Sequence, residues 1–140
     1  MQKLSTQPLG RRQICLIVED STFDQEMMAR VVHRSQPDMM IEVAPSLRSA
    51  RVALANHSVS LILLDNNLPD GVGANFALEL AADARLTEIP VIIVSDWPSP
   101  FMWEKAASAG VQFIVEKSEF GARHITEVMG RARSNRRRAI

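Results

Sequence analysis

Five polar residues that follow short apolar runs could together carry out phosphoryl chemistry. Glu19 and Asp20 come after the first run, Asp65 after the third, Ser95 after the fourth and Lys117 after the fifth. Three clustered carboxylates repel one another unless a hard divalent cation neutralises them, and Mg²⁺ does so while leaving coordination positions for phosphoryl oxygens. An ammonium group and a hydroxyl can bind the other oxygens of a transferring phosphoryl group. The set therefore indicates Mg²⁺-dependent phosphoryl transfer, provided that the fold brings these residues together.

The apolar runs alternate with longer segments along the chain. The runs, which have the length and the branched residues of β-strands, are Ile14–Val18, Met39–Val43, Leu61–Leu64, Val91–Val94 and Val111–Val115. The other segments show helical spacing, as in Phe23, Met27 and Val31, in Val72, Phe76 and Leu80, and in Ile125, Val128 and Met129. Strands that alternate with helices form a parallel sheet with helices on both faces.

The order of the strands follows from which runs carry polar residues. Three runs are uninterrupted, as expected for strands covered on both faces, whereas Glu42 interrupts the second run and Gln112 the fifth. We therefore predict an α/β fold, a doubly wound five-stranded parallel sheet of order 2-1-3-4-5, with a ligand site at the carboxyl ends of strands one and three. Asp65 is the candidate nucleophile, because it ends the central strand between the acidic pair and the side of Ser95 and Lys117.

Length, composition and charge exclude several classes of protein. The 140 residues suit one domain, and no apolar stretch approaches the roughly 18 residues of a membrane-spanning helix. The N-terminus lacks a secretory signal and the single cysteine, Cys15, cannot form an internal disulfide, so we expect a cytoplasmic protein. The five arginines of residues 131–140 leave 11 basic against 16 acidic residues in 1–130, which argues against a body that binds nucleic acid.

Several segments together resemble a known family, the receiver domain of bacterial two-component response regulators. The segments that carry the resemblance are Glu19-Asp20-Ser21, Asp65 to Gly73, Ser95, and Gly110 with Lys117, within residues 12–130. The resemblance implies the flavodoxin-like receiver fold. It also implies that Asp65 accepts a phosphoryl group from a sensor histidine kinase or a histidine phosphotransfer protein, while Ser95 and Lys117 bind the phosphoryl oxygens.

The same resemblance implies a ligand set for Mg²⁺. Asp20 and Asp65 would ligate the ion together with the backbone carbonyl of Asn67, and Glu19 would act largely through a bound water. Movement of Ser95 toward the phosphoryl group would start the conformational switch.

Some positions depart from the family pattern. Asp96 stands after the serine, where receivers usually have a small residue, and could repel an anionic donor or tune hydrolysis. Asn67 and Trp97 occupy the two positions that set the lifetime of the acyl phosphate in the family. Ile114 occupies the position of the usual switch aromatic, and we expect the neighbouring Phe113 to point to the opposite face of its strand. Coupling through an aromatic rotamer is therefore not predicted.

The predicted fourth helix carries aromatic residues away from its apolar stripe. Met102 and Ala106 have core spacing, which leaves Phe101 and Trp103 off that stripe, next to Lys105. Two interpretations stay open: the aromatics pack against neighbouring loops, or they form a partner surface.

We predict a flexible segment over residues 1–11, a receiver domain over 12–130 and a basic tail over 131–140. About ten residues after the last helix are too few for a DNA-binding domain, so we expect a stand-alone receiver that signals through another protein and not an enzyme in the ordinary sense. A phosphorylation-dependent homodimer is a further candidate partner. Two alternatives stay open: a pseudo-receiver that binds partners without phosphorylation, and a small Mg²⁺-dependent aspartyl-phosphate phosphatase. The phosphatase is disfavoured because Asn67 stands where that class needs an acidic general acid.

Overall fold

The computed structural model describes the backbone of residues 12–138 and the side chains of residues 12–134. The strands are β1 (Ile14–Val18), β2 (Met40–Ala44), β3 (Leu61–Leu64), β4 (Asn67–Leu68), β5 (Gly71–Val72), β6 (Val91–Ser95) and β7 (Phe113–Glu116). The helices are α1 (Thr22–Ser35), α2 (Leu47–Asn56), α3 (Gly73–Ala82), α4 (Pro100–Ser108) and α5 (Ala122–Arg138). The predicted flexible segment 1–11 lies outside the described residues.

Five parallel strands form one sheet in the order β2-β1-β3-β6-β7. This order confirms the predicted one, because β4 and β5 form a separate antiparallel hairpin and only shift the numbering. Glu42 lies in the edge strand β2, and Gln112 immediately precedes the other edge strand, β7. The polar interruptions therefore identified both edges correctly.

The sheet separates two apolar layers, because alternate side chains of each strand point to opposite faces. Leu16 and Leu64 pack in one layer with Phe76 of α3, while Ile17 packs in the other with Ile125 of α5. The first layer lies beneath α2, α3 and α4 and the second beneath α1 and α5. The central strands are buried on both faces, so their carboxyl ends are held rigidly at one edge of the sheet.

Details of the predicted elements needed correction. The second predicted strand is displaced by one residue, and β7 begins two residues later than the fifth predicted run. Phe23 was expected on the apolar stripe of the first helix, yet it is 75% exposed. Val31 of the same predicted stripe is buried, together with Met28 and Val32. Val72 pairs within the β4–β5 hairpin and is exposed rather than facing the core.

The last helix is also longer than expected. We predicted that it would end near residue 130, with a basic tail after it. Instead, α5 continues to Arg138, so the basic residues of 131–138 belong to the helix.

A carboxylate joins the β4–β5 turn to the start of α2. The two oxygens of Asp70 accept hydrogen bonds from the backbone N–H groups of Leu47, at 2.8 Å, and Arg48, at 2.9 Å. These N–H groups lack partners within the helix, and the side chain of Ser46 accepts a hydrogen bond from the N–H of Ser49 in the same first turn. The two hydrogen bonds lower the pKa of Asp70 below its ordinary value. Because Asp70 follows the strand-end loop that holds Asp65, this contact also fixes the loop.

Replacing Asp70 with alanine is expected to lower the melting temperature at neutral pH and to have less effect in acid. A carboxyl group whose pKa is lowered by folding stabilises the protein above its unfolded pKa, and that contribution is lost as pH falls through the lower, folded value. Thermal unfolding of wild type and Asp70→Ala between neutral pH and about pH 3 tests this. Asp38→Ala, at an exposed turn, is the control. A difference in melting temperature that is the same across that range would contradict the assignment.

Candidate functional site

Three of the predicted site residues follow parallel strands at the same edge of the sheet, and a fourth ends one of these strands. Glu19 follows β1 and Asp65 follows β3; the Asp65 N–H donates to the carbonyl of Val18 at 2.9 Å. Ser95 ends β6, and the N–H of Lys117 donates to the carbonyl of Ser95 at 3.1 Å. The main chain therefore brings together residues that are up to about a hundred positions apart in sequence.

The carboxylates of Glu19, Asp20 and Asp65 form a compact group. One oxygen from each lies within 4.8 Å of the others. Glu19 and Asp65 are buried and Asp20 is exposed, so the group opens to solvent on the Asp20 side. Burial raises the pKa of Glu19 to about 7 and also raises the pKa of Asp65, although hydrogen bonds and the charge of Lys117 oppose both shifts. An all-oxygen donor set with this excess of negative charge suits a hard divalent cation.

Lys117 is surrounded by carboxylates. Its Nζ lies 2.7 Å from Glu19 Oε1, 2.8 Å from Asp24 Oδ2, 3.6 Å from Asp96 Oδ2 and 3.8 Å from Asp65 Oδ2. Burial alone would lower the pKa of Lys117, but the hydrogen bonds to Asp24 and Glu19 raise it above its ordinary value. The ammonium group is therefore charged at any ordinary pH.

Asp24 is the site residue that the sequence did not reveal. It lies in the first turn of α1, where the side chain of Ser21 caps the helix by accepting a hydrogen bond from the Asp24 N–H at 3.3 Å. Ser21 also donates its N–H to Glu19 Oε2 at 3.2 Å. The only indication in the sequence was that Asp24 is an acidic residue in the first turn of a helix that begins close to the predicted site. Acidic residues are common in first turns for other reasons, so the pattern alone was not specific.

The loop after β6 presents the residues predicted to tune the site. Ser95 is fully buried, and its Oγ accepts a hydrogen bond from the N–H of Trp97 at 3.4 Å. Asp96 extends its carboxylate toward Lys117, whereas the indole of Trp97 is exposed. Asp96 thus adds negative charge to the site, and the tuning role of Trp97 stays a prediction.

The β4–β5 hairpin lies between β3 and α3, and Asn66, which precedes this hairpin, contacts the start of α3. Asn66 accepts a hydrogen bond from the N–H of Gly73 through its carbonyl, at 2.8 Å, and from the N–H of Ala74 through its side chain, at 3.0 Å. The side chain of Asn66 therefore caps α3. Asn67 is exposed in β4, two residues after Asp65, as its predicted roles require.

The aromatic residues of α4 lie outside the core. Met102 is buried, while Phe101 is 78% and Trp103 53% exposed. Lys105 donates a hydrogen bond to Asn75 of α3 at 2.9 Å, so its ammonium group is held against the neighbouring helix. The exposure of both aromatic rings is what a partner surface requires.

The position of the usual switch aromatic is occupied by a core side chain. Ile114 packs against the layer beneath α2, α3 and α4, and Phe113 packs against the opposite layer. The predicted opposite orientation of the two side chains is therefore observed.

None of the helices within residues 12–138 is long and apolar enough to cross a bilayer.

Comparisons with known proteins agree with the fold. The response regulator receiver domain family matches residues 15–129. The gliding motility regulatory protein of Myxococcus xanthus is 27% identical over 124 residues, which are 89% of this chain and 16% of that protein. The chain thus spans a small part of that relative's length.

Solved structures show the same architecture. A receiver domain protein from Methanospirillum hungatei JF-1 has a TM-score of 0.77 at 19% identity, with 89% of this chain and 98% of that chain covered. A phosphorylated cyanobacterial phytochrome response regulator has a TM-score of 0.70 at 25% identity, with 85% and 90% covered. Since the family match extends over most of the chain and the strand order agrees with it, this chain belongs to the response regulator receiver domain family of two-component systems.

Proposed function

We propose that this receiver domain accepts a phosphoryl group on Asp65 from a histidine kinase or a histidine phosphotransfer protein. The observation that carries the proposal is the position of Asp65. Its carboxylate lies within 4.8 Å of Glu19 and Asp20 oxygens and 3.8 Å from the Nζ of Lys117. The carboxylate of Asp65 is therefore close both to the other carboxylates that could hold a cation and to a fixed positive charge, and phosphoryl transfer depends on electrostatic stabilisation of this kind.

The chemistry assigned to these residues is an exchange at phosphorus. A carboxylate oxygen of Asp65 attacks the phosphorus atom of a phosphohistidine, and the bond between phosphorus and the imidazole nitrogen breaks, with its electron pair staying on the nitrogen. Lys117 and Ser95 bind the phosphoryl oxygens of the resulting acyl phosphate. Water later attacks phosphorus, the bond to Asp65 breaks, and inorganic phosphate and the free carboxylate are released.

The residues that would hold Mg²⁺ are Glu19, Asp20, Asp65 and the backbone carbonyl of Asn67. They fit the ion because all are oxygen donors and because two of the three carboxylates are buried with raised pKa values. When bound, Mg²⁺ neutralises these carboxylates and the charge of the phosphoryl oxygens. Asp20 is the exposed member, so an incoming phosphoryl donor would approach the group from the side of Asp20.

The signal would leave through protein contacts. Trp103 lines a groove together with Phe113, Ile114 and Glu119. Phe101, which is exposed, and Lys105 lie on the same helix as Trp103. We assign this surface to a downstream protein or to a second copy of the chain in a phosphorylation-dependent dimer. Asn67, Asp96 and Trp97 are assigned to the lifetime of the acyl phosphate.

Intact mass tests the proposed reaction. Wild type incubated with acetyl phosphate and Mg²⁺ should gain one phosphoryl group, and the same mixture with a chelator should show none. No adduct, when a known receiver in parallel is modified, would favour the phosphorylation-independent interaction module. Turnover of p-nitrophenyl phosphate would instead favour the phosphatase, which the asparagine at position 67 argues against.

Lys117→Met is expected to bind Mg²⁺ more tightly than wild type. The ammonium group lies 2.7 Å from Glu19 and 3.8 Å from Asp65, so it competes with a cation for the same carboxylates. Removing it should lower the dissociation constant about fivefold or more, in the range of direct coupling between charged sites. Calorimetric titration is carried out at several pH values from about 8 upward, because the pKa of Glu19 is about 7 in wild type and rises further when Lys117, which lowers it, is removed. Lys105→Met on α4 is the charge-matched control, and equal or weaker binding by Lys117→Met would contradict the competition.

A further inference from the structure

We propose that Asp24 is a positioning residue that holds Lys117 away from Asp65 and so limits how readily the domain accepts a phosphoryl group. The inference rests on the proposed function of Asp65. It concerns a carboxylate that is neither the phosphoacceptor nor part of the group that would hold Mg²⁺.

The distances around Lys117 support this role. Its Nζ is within hydrogen-bond distance of Asp24, at 2.8 Å, but is 3.8 Å from Asp65. To bind phosphoryl oxygens on Asp65, the ammonium group of Lys117 must therefore leave Asp24 or share its hydrogen bonds between Asp24 and the phosphoryl group. Asp24 competes with the phosphoryl group for the same ammonium.

The environment makes the contact with Asp24 stronger than a surface ion pair. The side chains of Lys117 and Asp24 are only 11% and 20% exposed, so water and salt screen their attraction poorly. The Asp24 backbone is also fixed, because its N–H donates to the capping hydroxyl of Ser21 at 3.3 Å. Little conformational freedom is lost when the ion pair forms, and the contact is already organised before any phosphoryl group arrives.

The other carboxylates near Lys117 cannot have the same effect. Glu19 belongs to the group that would hold Mg²⁺, so a bound cation weakens its attraction for the ammonium. Asp96 is exposed, and its 3.6 Å separation from Nζ exceeds hydrogen-bond distance. Asp24 is therefore the partner that still holds Lys117 after the metal has bound.

The test is Asp24→Asn at saturating Mg²⁺, a substitution that keeps the shape of the side chain and removes its charge. Two quantities are measured: the initial rate of phosphorylation by acetyl phosphate, followed by intact mass, and the affinity for beryllofluoride, an anion that mimics a bound phosphoryl group. Both should rise about three- to tenfold, because Lys117 no longer has to leave a carboxylate. Glu26→Gln removes the same charge from an exposed position of α1 and should change either quantity less than twofold.

The outcomes separate this inference from the proposed function. A wild type that takes no phosphoryl group overturns both. A wild type that is phosphorylated, together with an Asp24→Asn variant that is no faster and binds beryllofluoride no better, overturns the inference alone. A merely structural role for Asp24 would lower the melting temperature without raising either quantity. Asp24→Ser, which keeps a small polar side chain in the first turn, provides the same comparison if the asparagine variant is unstable, and Asp24→Glu should return both quantities toward wild type.

Discussion

Asp65→Asn is expected to abolish the phosphoryl adduct completely. The amide has nearly the shape of the carboxylate but is not a nucleophile toward phosphorus at neutral pH. The substitution also removes one negative charge from the carboxylates that would hold Mg²⁺. Intact mass after incubation with acetyl phosphate and Mg²⁺ measures the result. Asp38→Asn, at an exposed turn, should be modified like wild type. An adduct that persists on Asp65→Asn would move the acceptor to another carboxylate at the edge, such as Asp20 or Asp96.

The same substitution should not destabilise the fold. Burial raises the pKa of Asp65, so ionising this carboxyl group costs more free energy in the folded protein than in the unfolded chain. A neutral amide relieves that cost, and the melting temperature of Asp65→Asn should equal or exceed that of wild type at neutral pH. The sign follows from linkage: a carboxyl group whose pKa is raised by folding destabilises the folded state above its unfolded pKa. The gain should therefore shrink as pH falls through the folded pKa of Asp65.

Much of the sheet and of the site was predictable because a strand and the residue that follows it can be recognised from a few consecutive residues. An uninterrupted apolar run such as Leu61–Leu64 predicts a strand that is buried on both faces. The residue after such a run must then lie where the carboxyl ends of the parallel strands meet. Glu42 and Gln112 identified the edge strands because each is a polar residue that interrupts an apolar run. The convergence of Glu19, Asp65 and Lys117 then follows from parallel strands, with no knowledge of how the helices are rotated.

Contacts made by helix side chains could not be predicted in the same way. One residue on a helix corresponds to a rotation of about 100°. The stripe predicted from Phe23, Met27 and Val31 placed Val31 correctly, but the buried residues of α1 are Met28, Val31 and Val32, so the prediction misjudged how the helix is rotated. The contact of Asp24 with Lys117 depends on that rotation. Asp70, which caps α2, lies in the turn of the β4–β5 hairpin. Each strand of this hairpin has only two residues, too few to show a hydrophobic period in the sequence.

The start of α3 approaches the main chain of Asp65 and Asn66 so closely that only glycine fits. A Cβ atom on Gly73 would lie 2.2 Å from the carbonyl oxygen of Asp65, 2.9 Å from the Cα of Asn66 and 3.0 Å from the carbonyl carbon of Asp65. All three are backbone atoms, so no flexible side chain can move aside. The hydrogen bond from the Gly73 N–H to the Asn66 carbonyl, at 2.8 Å, holds the two segments at this separation.

Gly73→Ala is therefore expected to destabilise the protein by about 3 kcal/mol and to lower the rate of phosphorylation more than tenfold. Helix propensity alone predicts the opposite sign, since alanine stabilises helices relative to glycine by about 1 kcal/mol. Gly130→Ala in α5 separates the two effects, because a Cβ there meets nothing within 4 Å and should stabilise the protein. Denaturant unfolding and intact-mass kinetics of both variants measure the outcome. If Gly73→Ala were as stable as wild type, α3 would have to move away from Asp65 at little cost, and the close contact would not be what positions the loop that holds Asp65.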